Sequence, residues 1–241
     1  FHIMLDQDDG HAALIAHFAE QLHCVLALVG VHARRWFIEE QQLWLGRKRP
    51  CHLKPPLHAI REVARTFVGE AIKGCARSPF IVSKVYPHNA TRAGTIAACE
   101  RSLGRMGIER IDLYLLHWRG GVRLAETYEA FFRLRQDGKI GDFGVSNFDL
   151  DDMEEAAGID KGLTASNQVL YCLSRRGPDF DLLPWMRKRS IPLMAYSPLD
   201  QGRLLGSSTI KKIAQEVGCT PSQLCLAWVL AQPGVVTIPK S

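Results

Sequence analysis

The 241-residue chain lacks most of the features that would place it in a specialised class. Its seven cysteines, Cys24, Cys51, Cys75, Cys99, Cys172, Cys219 and Cys225, are odd in number and never form a CxxC pair. That pattern argues against a zinc site and against a disulfide framework, so reduced thiols and no metal are expected. The most apolar stretch, residues 12–31, is interrupted by His17, Glu20, Gln21 and His23, groups a membrane span rarely carries. No basic run exceeds three residues, as in Arg47-Lys48-Arg49, and the net charge of +5 is modest for this length. A polyanion-binding domain usually clusters its Lys and Arg, so nucleic acid is not an expected partner, and neither is a membrane. Acidic Asp6, Asp8 and Asp9 stand where a secretory leader would be basic. The expectation is a cytoplasmic protein, monomeric or weakly associating. Internal repeats and low-complexity tracts are absent too.

What is present is ordinary globular composition, 46% hydrophobic and 23% charged, in a length that suits one α/β barrel. From about residue 58, short apolar runs alternate with longer amphipathic ones. Residues 80–85, 111–117, 141–145, 164–169, 191–196 and 235–238 read as strands. Residues 95–106, 125–136, 151–157, 179–188, 209–217 and 221–231 read as helices between or before them. Strict alternation means parallel strands joined by helical crossovers. No GxGxxG follows any of the strands, which weakens the open dinucleotide-binding sheet and favours a closed barrel. The predicted fold is therefore a parallel (β/α)8 TIM-type barrel over residues 58–241, incomplete or irregular at its ends. Residues 1–57 form a separate segment in this reading, able to supply the first two strand-helix units.

Barrel chemistry sits where strands end and the following loops begin. Those ends read Lys84, His117, Ser146-Asn147, Asn167-Gln168, Tyr196-Ser197 and Pro239-Lys240. Singly, each has an ordinary structural explanation: a rim lysine, a packed histidine, a serine or asparagine opening a turn. Jointly they place ammonium, imidazole, hydroxyl and amide groups at six consecutive strand ends. That arrangement suits a polar reaction on a small molecule.

The segments Val82-Ser83-Lys84-Val85, Asp112-Leu113-Tyr114-Leu115-Leu116-His117-Trp118, Gly144-Val145-Ser146-Asn147-Phe148, Asn167-Gln168-Val169, Ala195-Tyr196-Ser197-Pro198-Leu199 and Ile238-Pro239-Lys240-Ser241 resemble the aldo-keto reductases, in order and approximate spacing. The resemblance covers roughly residues 66–241. It implies reduction of a small carbonyl substrate, an aldehyde or ketone, by hydride from NADPH, which returns as NADP+. It assigns Lys84 and His117 to catalysis, and Trp118 to the wall of the substrate pocket. Ser146, Asn147 and Gln168 would hold the nicotinamide carboxamide, and Tyr196 would stack on its ring. Ser197 and Leu199 would lie along the pyrophosphate, and Lys240 and Ser241 near the adenosine 2′-phosphate.

The match breaks upstream. The family places an aspartate and its proton-donating tyrosine before the helix that here holds residues 68–72. This chain reads Lys54-Pro55-Pro56-Leu57-His58-Ala59-Ile60-Arg61-Glu62 there, and its first tyrosine is Tyr86. The expectation is slow carbonyl reduction, since general acid catalysis typically contributes ~10²–10⁴-fold. His117, Lys84, His52 and His58 are the candidate substitute donors. A nicotinamide-binding protein without catalysis, acting as a sensor or regulator, is the competing reading.

Overall fold

The structure, a computed structural model, describes residues 79–239. Residues 81–104 and 108–239 form one compact unit. It is built from six strands: β1 (Val82–Val85), β2 (Ile111–Leu116), β3 (Ile140–Ser146), β4 (Asn167–Leu170), β5 (Leu193–Tyr196) and β6 (Val235–Ile238). Seven helices accompany them: α1 (Arg92–Met106), α2 (Leu124–Gln136), α3 (Leu150–Asp160), α4 (Leu182–Lys188), α5 (Arg203–Gly206), α6 (Ser208–Glu216) and α7 (Pro221–Leu230). All neighbouring strands pair in parallel, in the order β1-β2-β3-β4-β5-β6. A doubly wound sheet reverses its order at a switch point. Here each strand adds on the same side of the one before it, as strands of a barrel do. Among the described residues β1 and β6 each have one neighbour, so these six strands form an open arc of a barrel.

Local chemistry fixes the helix starts. Asp149 accepts the backbone N–H of Asp152 at 3.0 Å, capping α3. Thr220 and Gln223 form a reciprocal capping box at α7, with Pro221 in the first turn, where its missing N–H costs nothing. The outer face of the sheet is aromatic: Phe143 stacks on Phe131 of α2 at 5.5 Å between centroids, and Tyr128 meets Phe143 edge-on at 5.6 Å. These rings are fully buried.

The expected elements recur with small shifts. Helix α4 begins at Leu182, after a 3-10 turn over Gly177–Asp179 and a cap from Asp181, rather than at residue 179. β4 begins at Asn167 rather than 164, though Ala165 N–H and Ser166 C=O still bond to β3 at 2.9 and 3.0 Å. The loop after β5 folds into a 3-10 turn, Asp200–Gly202, and the single helical turn of α5, which the periodicity did not anticipate.

Candidate active site

Pairing register decides which side chains share a face, because successive residues of a strand alternate sides. Lys84 is level with Leu115, and Leu115 with Gly144. Ser146, two residues past Gly144, is level with Gln168, and Gln168 with Met194. Tyr196 lies two residues past Met194 on β5. One sheet face therefore carries Lys84, Ser146, Gln168 and Tyr196, the face opposite the aromatic packing on α2. Strand parity extends that face to His117, two residues past Leu115.

Hydrogen bonds join these strand ends. The backbone N–H of His117 donates to Val85 O at 2.9 Å, and that of Asn147 to Gln168 O at 2.9 Å. Ser146 Oγ also donates to Gln168 O, at 2.8 Å. Asn147 is the hub: its Nδ2 donates to His117 O at 3.0 Å, and its Oδ1 accepts the Tyr196 hydroxyl at 2.9 Å. Its amide thus links the ends of β2, β3 and β5. Asn147 and Ser197, each one residue past its strand, adopt left-handed backbone angles, φ 59° and 50°. Such conformations in non-glycine residues collect at functional sites, and Asn tolerates them best.

The polar groups are unevenly satisfied. Gln168 is buried, and its Nε2 rests on the Met194 thioether at 2.8 Å, a weak acceptor. Lys84 is half-buried at the end of β1, and among the described residues no carboxylate forms an ion pair with it. Burial alone pulls its ammonium down to about 8. Burial also raises the Tyr196 hydroxyl above the usual phenol range.

Beside Lys84 lies an aromatic group that the strand ends did not single out. Tyr86, just past β1, has its ring 5.0 Å from the His117 imidazole, 5.4 Å from Trp118 and 5.5 Å from His88. His117 and Trp118 are 4.6 Å apart, and Trp118 is 42% exposed. The signal for Tyr86 was its spacing: two residues past Lys84, it follows the same alternation. In the β5 loop that holds Ser197 and Leu199, Asp200 accepts Ser174 Oγ at 3.1 Å and the Arg203 guanidinium at 2.8 Å. Lys240, Ser241, His52 and His58 lie outside the described residues. Among the described residues no group of three or more His, Cys, Asp or Glu side chains could hold a metal ion, and no helix is long and apolar enough to cross a membrane. Cys99, Cys172, Cys219 and Cys225 are free thiols.

What this arrangement can do is bind an amide-bearing ring against Ser146 and Gln168, beside a cationic and an imidazole group. A methylglyoxal reductase of Escherichia coli (strain K12) is 46% identical over 184 residues, 74% of this chain and 65% of that protein. A glyoxal reductase of Bacillus subtilis (strain 168) is 40% identical over 177 residues, 72% of this chain and 63% of that protein. The chain thus spans less than two thirds of the length of these two relatives. A crystal structure of an aldo/keto reductase from Klebsiella pneumoniae in complex with NADP and acetate is 46% identical. It superposes with a TM-score of 0.72, covering 76% of this chain and 66% of that one. The sequence model of the Aldo/keto reductase family matches residues 61–241, three quarters of the chain. With the strand order and the strand-end residues, that match makes the chain a member of the aldo-keto reductase family.

Proposed function

We propose that this chain binds NADPH across the strand ends and reduces small aldehydes or ketones to alcohols, with dicarbonyls such as methylglyoxal and glyoxal as the first substrates to test. The observation that carries this reading is the shared face of Lys84, His117, Ser146, Gln168 and Tyr196. The family's cofactor supplies a hydride; the residues present fit its ring. A carboxamide oxygen offers the Gln168 N–H a stronger acceptor than the thioether it now meets. Ser146 Oγ lies level with it, and Asn147 Oδ1 has a second lone pair beside its bond from Tyr196. The Tyr196 ring gives the nicotinamide a stacking surface. Ser197 and Leu199 line the pyrophosphate in this reading, and Lys240 and Ser241 meet the 2′-phosphate.

Hydride addition puts negative charge on the carbonyl oxygen, which fixed donors and a nearby cation stabilise. His117 orients that oxygen, Lys84 supplies the positive charge, and Trp118 walls the substrate. The relatives' substrates motivate the dicarbonyl class: the Escherichia coli and Bacillus subtilis proteins are named for methylglyoxal and glyoxal reduction.

Two measurements on the unmodified chain test this: NADPH titration by nucleotide fluorescence, and NADPH oxidation on addition of methylglyoxal or a nitrobenzaldehyde. Saturable binding with aldehyde-dependent oxidation is the expected result. Binding without oxidation would favour the sensing alternative, which rests on the absence of any tyrosine before Tyr86. Absence of binding would sink both.

A further inference from the structure

Among the polar residues of the strand-end segments, Asn167 has no part in the functional reading. It stands beside Gln168 on β4 and points to the other side of the sheet, because successive strand residues alternate. It is level with Val145 and fully buried. Its Nδ2 donates to Phe148 O at 2.9 Å, from β4 to the turn that follows β3. A carbonyl oxygen only accepts, so the N–H end of the amide must face it. The other end, Oδ1, is buried with no hydrogen-bond partner among the described residues. An unpaired buried acceptor is unfavourable, and an apolar side chain of similar size would avoid it. What the amide supplies here is its N–H.

That N–H reaches a turn on which the candidate site depends. Phe148 is buried, and it lies between Asn147, whose backbone is left-handed at φ 59°, and Asp149, the cap of α3. The Asn147 N–H donates to Gln168 O on the near side of the turn, and Asn167 holds Phe148 O on the far side. Two consecutive residues of β4 thus grip two consecutive residues of the turn. A left-handed residue other than glycine needs such support from its surroundings. With the turn fixed, the Asn147 amide stays between His117 O, at 3.0 Å, and the Tyr196 hydroxyl, at 2.9 Å. We propose, on the carbonyl-reductase reading above, that Asn167 is a positioning residue for the nicotinamide: by holding the Phe148 carbonyl it sets the turn that aims the Asn147 amide at the cofactor. Asn167 touches neither cofactor nor substrate in this assignment; it acts through Asn147.

Asn167→Leu removes both ends of the amide at similar volume, so the unpaired Oδ1 disappears together with the donor. The Kd for NADPH, followed by nucleotide fluorescence, should rise about tenfold, the order of one neutral hydrogen bond. Asn167→Thr suits a strand and carries a hydroxyl too short to reach Phe148 O, so it should lose as much. In an Asn147→Ala chain, adding Asn167→Leu should change Kd little, because both substitutions act through one amide. A merely structural role would weaken NADPH equally in both backgrounds. A further readout needs no nucleotide. The Asn147 side-chain amide signal of a nitrogen-15-labelled chain, assigned by its loss in Asn147→Ala, should shift in Asn167→Leu or Asn167→Thr. An unmoved signal, additive losses, or a folded variant that binds NADPH like the unmodified chain would overturn the assignment and leave the carbonyl-reductase reading intact. An unmodified chain that binds no NADPH would overturn the reading itself, and the positioning role with it.

Discussion

A lysine half-buried at the end of β1, with no carboxylate paired to it among the described residues, carries its charge at a cost. Burial brings Lys84 down from 10.5 to about 8, a shift equivalent to roughly 3 kcal/mol at 1.36 kcal/mol per pKa unit. The folded state prefers the neutral amine, so between pH 8 and 10.5 the unfolded chain binds more protons than the folded one. Stability therefore rises with pH through that window, and the penalty is fully present below it. Lys84→Met should be more stable than the unmodified chain at pH 7, by roughly 2–3 kcal/mol on that conversion. The advantage should shrink by pH 9.5, as urea unfolding of both chains at the two pH values would measure. An equal advantage at both would mean that Met merely packs better. A charge kept against this cost is consistent with a role on the oxyanion. The positions of His117, Ser146 and Tyr196 were legible in the sequence because each ends or directly follows a strand, and Lys84 is one residue short of the end of β1; Gln168, expected at a strand end, instead lies near the start of β4, because that strand begins at Asn167 rather than 164. Tyr86 was not singled out although it lies two residues past Lys84, since its ring contacts with His117 and Trp118 are not encoded in chain order. Nor could sequence show that both polar ends of the Asn147 amide are engaged by neighbouring strand ends.

Strand β3 shows why a strand interior needs a glycine. A Cβ on Gly144 would stand 2.4 Å from Ser166 O and 2.9 Å from a Leu115 methyl, both on flanking segments held by ladder bonds. Backbone cannot yield as a flexible side chain would. Gly144→Ala should cost about 1–3 kcal/mol, the usual penalty for overpacking. At ~2–4 °C per kcal/mol for a protein of this size, the thermal midpoint falls by several degrees. Because Ser146 and Asn147 lie two and three residues along, NADPH affinity should weaken in parallel. A variant with an unchanged midpoint would mean that β3 and β4 stand further apart than the register implies. Elements were legible wherever the hydrophobic period was long and the ends were marked. α7 was read as 221–231 and runs Pro221–Leu230, because Thr220, Pro221 and Gln223 spell its start. β6 has the predicted bounds, Val235–Ile238, between Gly234 and Pro239. The β5 loop was not legible: its turn depends on left-handed backbone at Ser197, Asp200 and Gln201, three residues with no glycine signal. It is tied down by the Asp200 bonds to Ser174 and Arg203, contacts distant or invisible in sequence pattern.

At the scale of the whole sheet, the central and outer strands have different means of support. β2 and β3 are paired on both sides and covered by the buried rings of Tyr128, Phe131 and Phe143. β1 and β6, among the described residues, are paired on one side, and three of the four β1 residues are only half-buried. A parallel strand is ordinarily buried on both faces and flanked on both edges, and an open edge exposes N–H and C=O groups to water. Opening free energies should therefore decline from the centre outward, since local unfolding begins where buried contacts are few. Native-state hydrogen exchange should show the slowest amides in β2 and β3, at Leu113, Leu115 and Val145. Exchange should be faster in β1 and β6. The functional reading adds a second expectation. A ligand that binds only the folded state stabilises it by RT ln(1 + [L]/Kd), about 2.7 kcal/mol at a hundredfold excess over Kd. NADPH held between the ends of β3, β4 and β5 would tie β6 to the centre through β5, so exchange at Val236 and Thr237 should slow more than at Val82 and Ser83. Equal protection of all six strands without nucleotide would mean that β1 and β6 have partners elsewhere in the chain. Uniform slowing on adding NADPH would mean that the nucleotide stabilises the molecule globally, without the strand-end contacts proposed for Ser146, Gln168 and Tyr196.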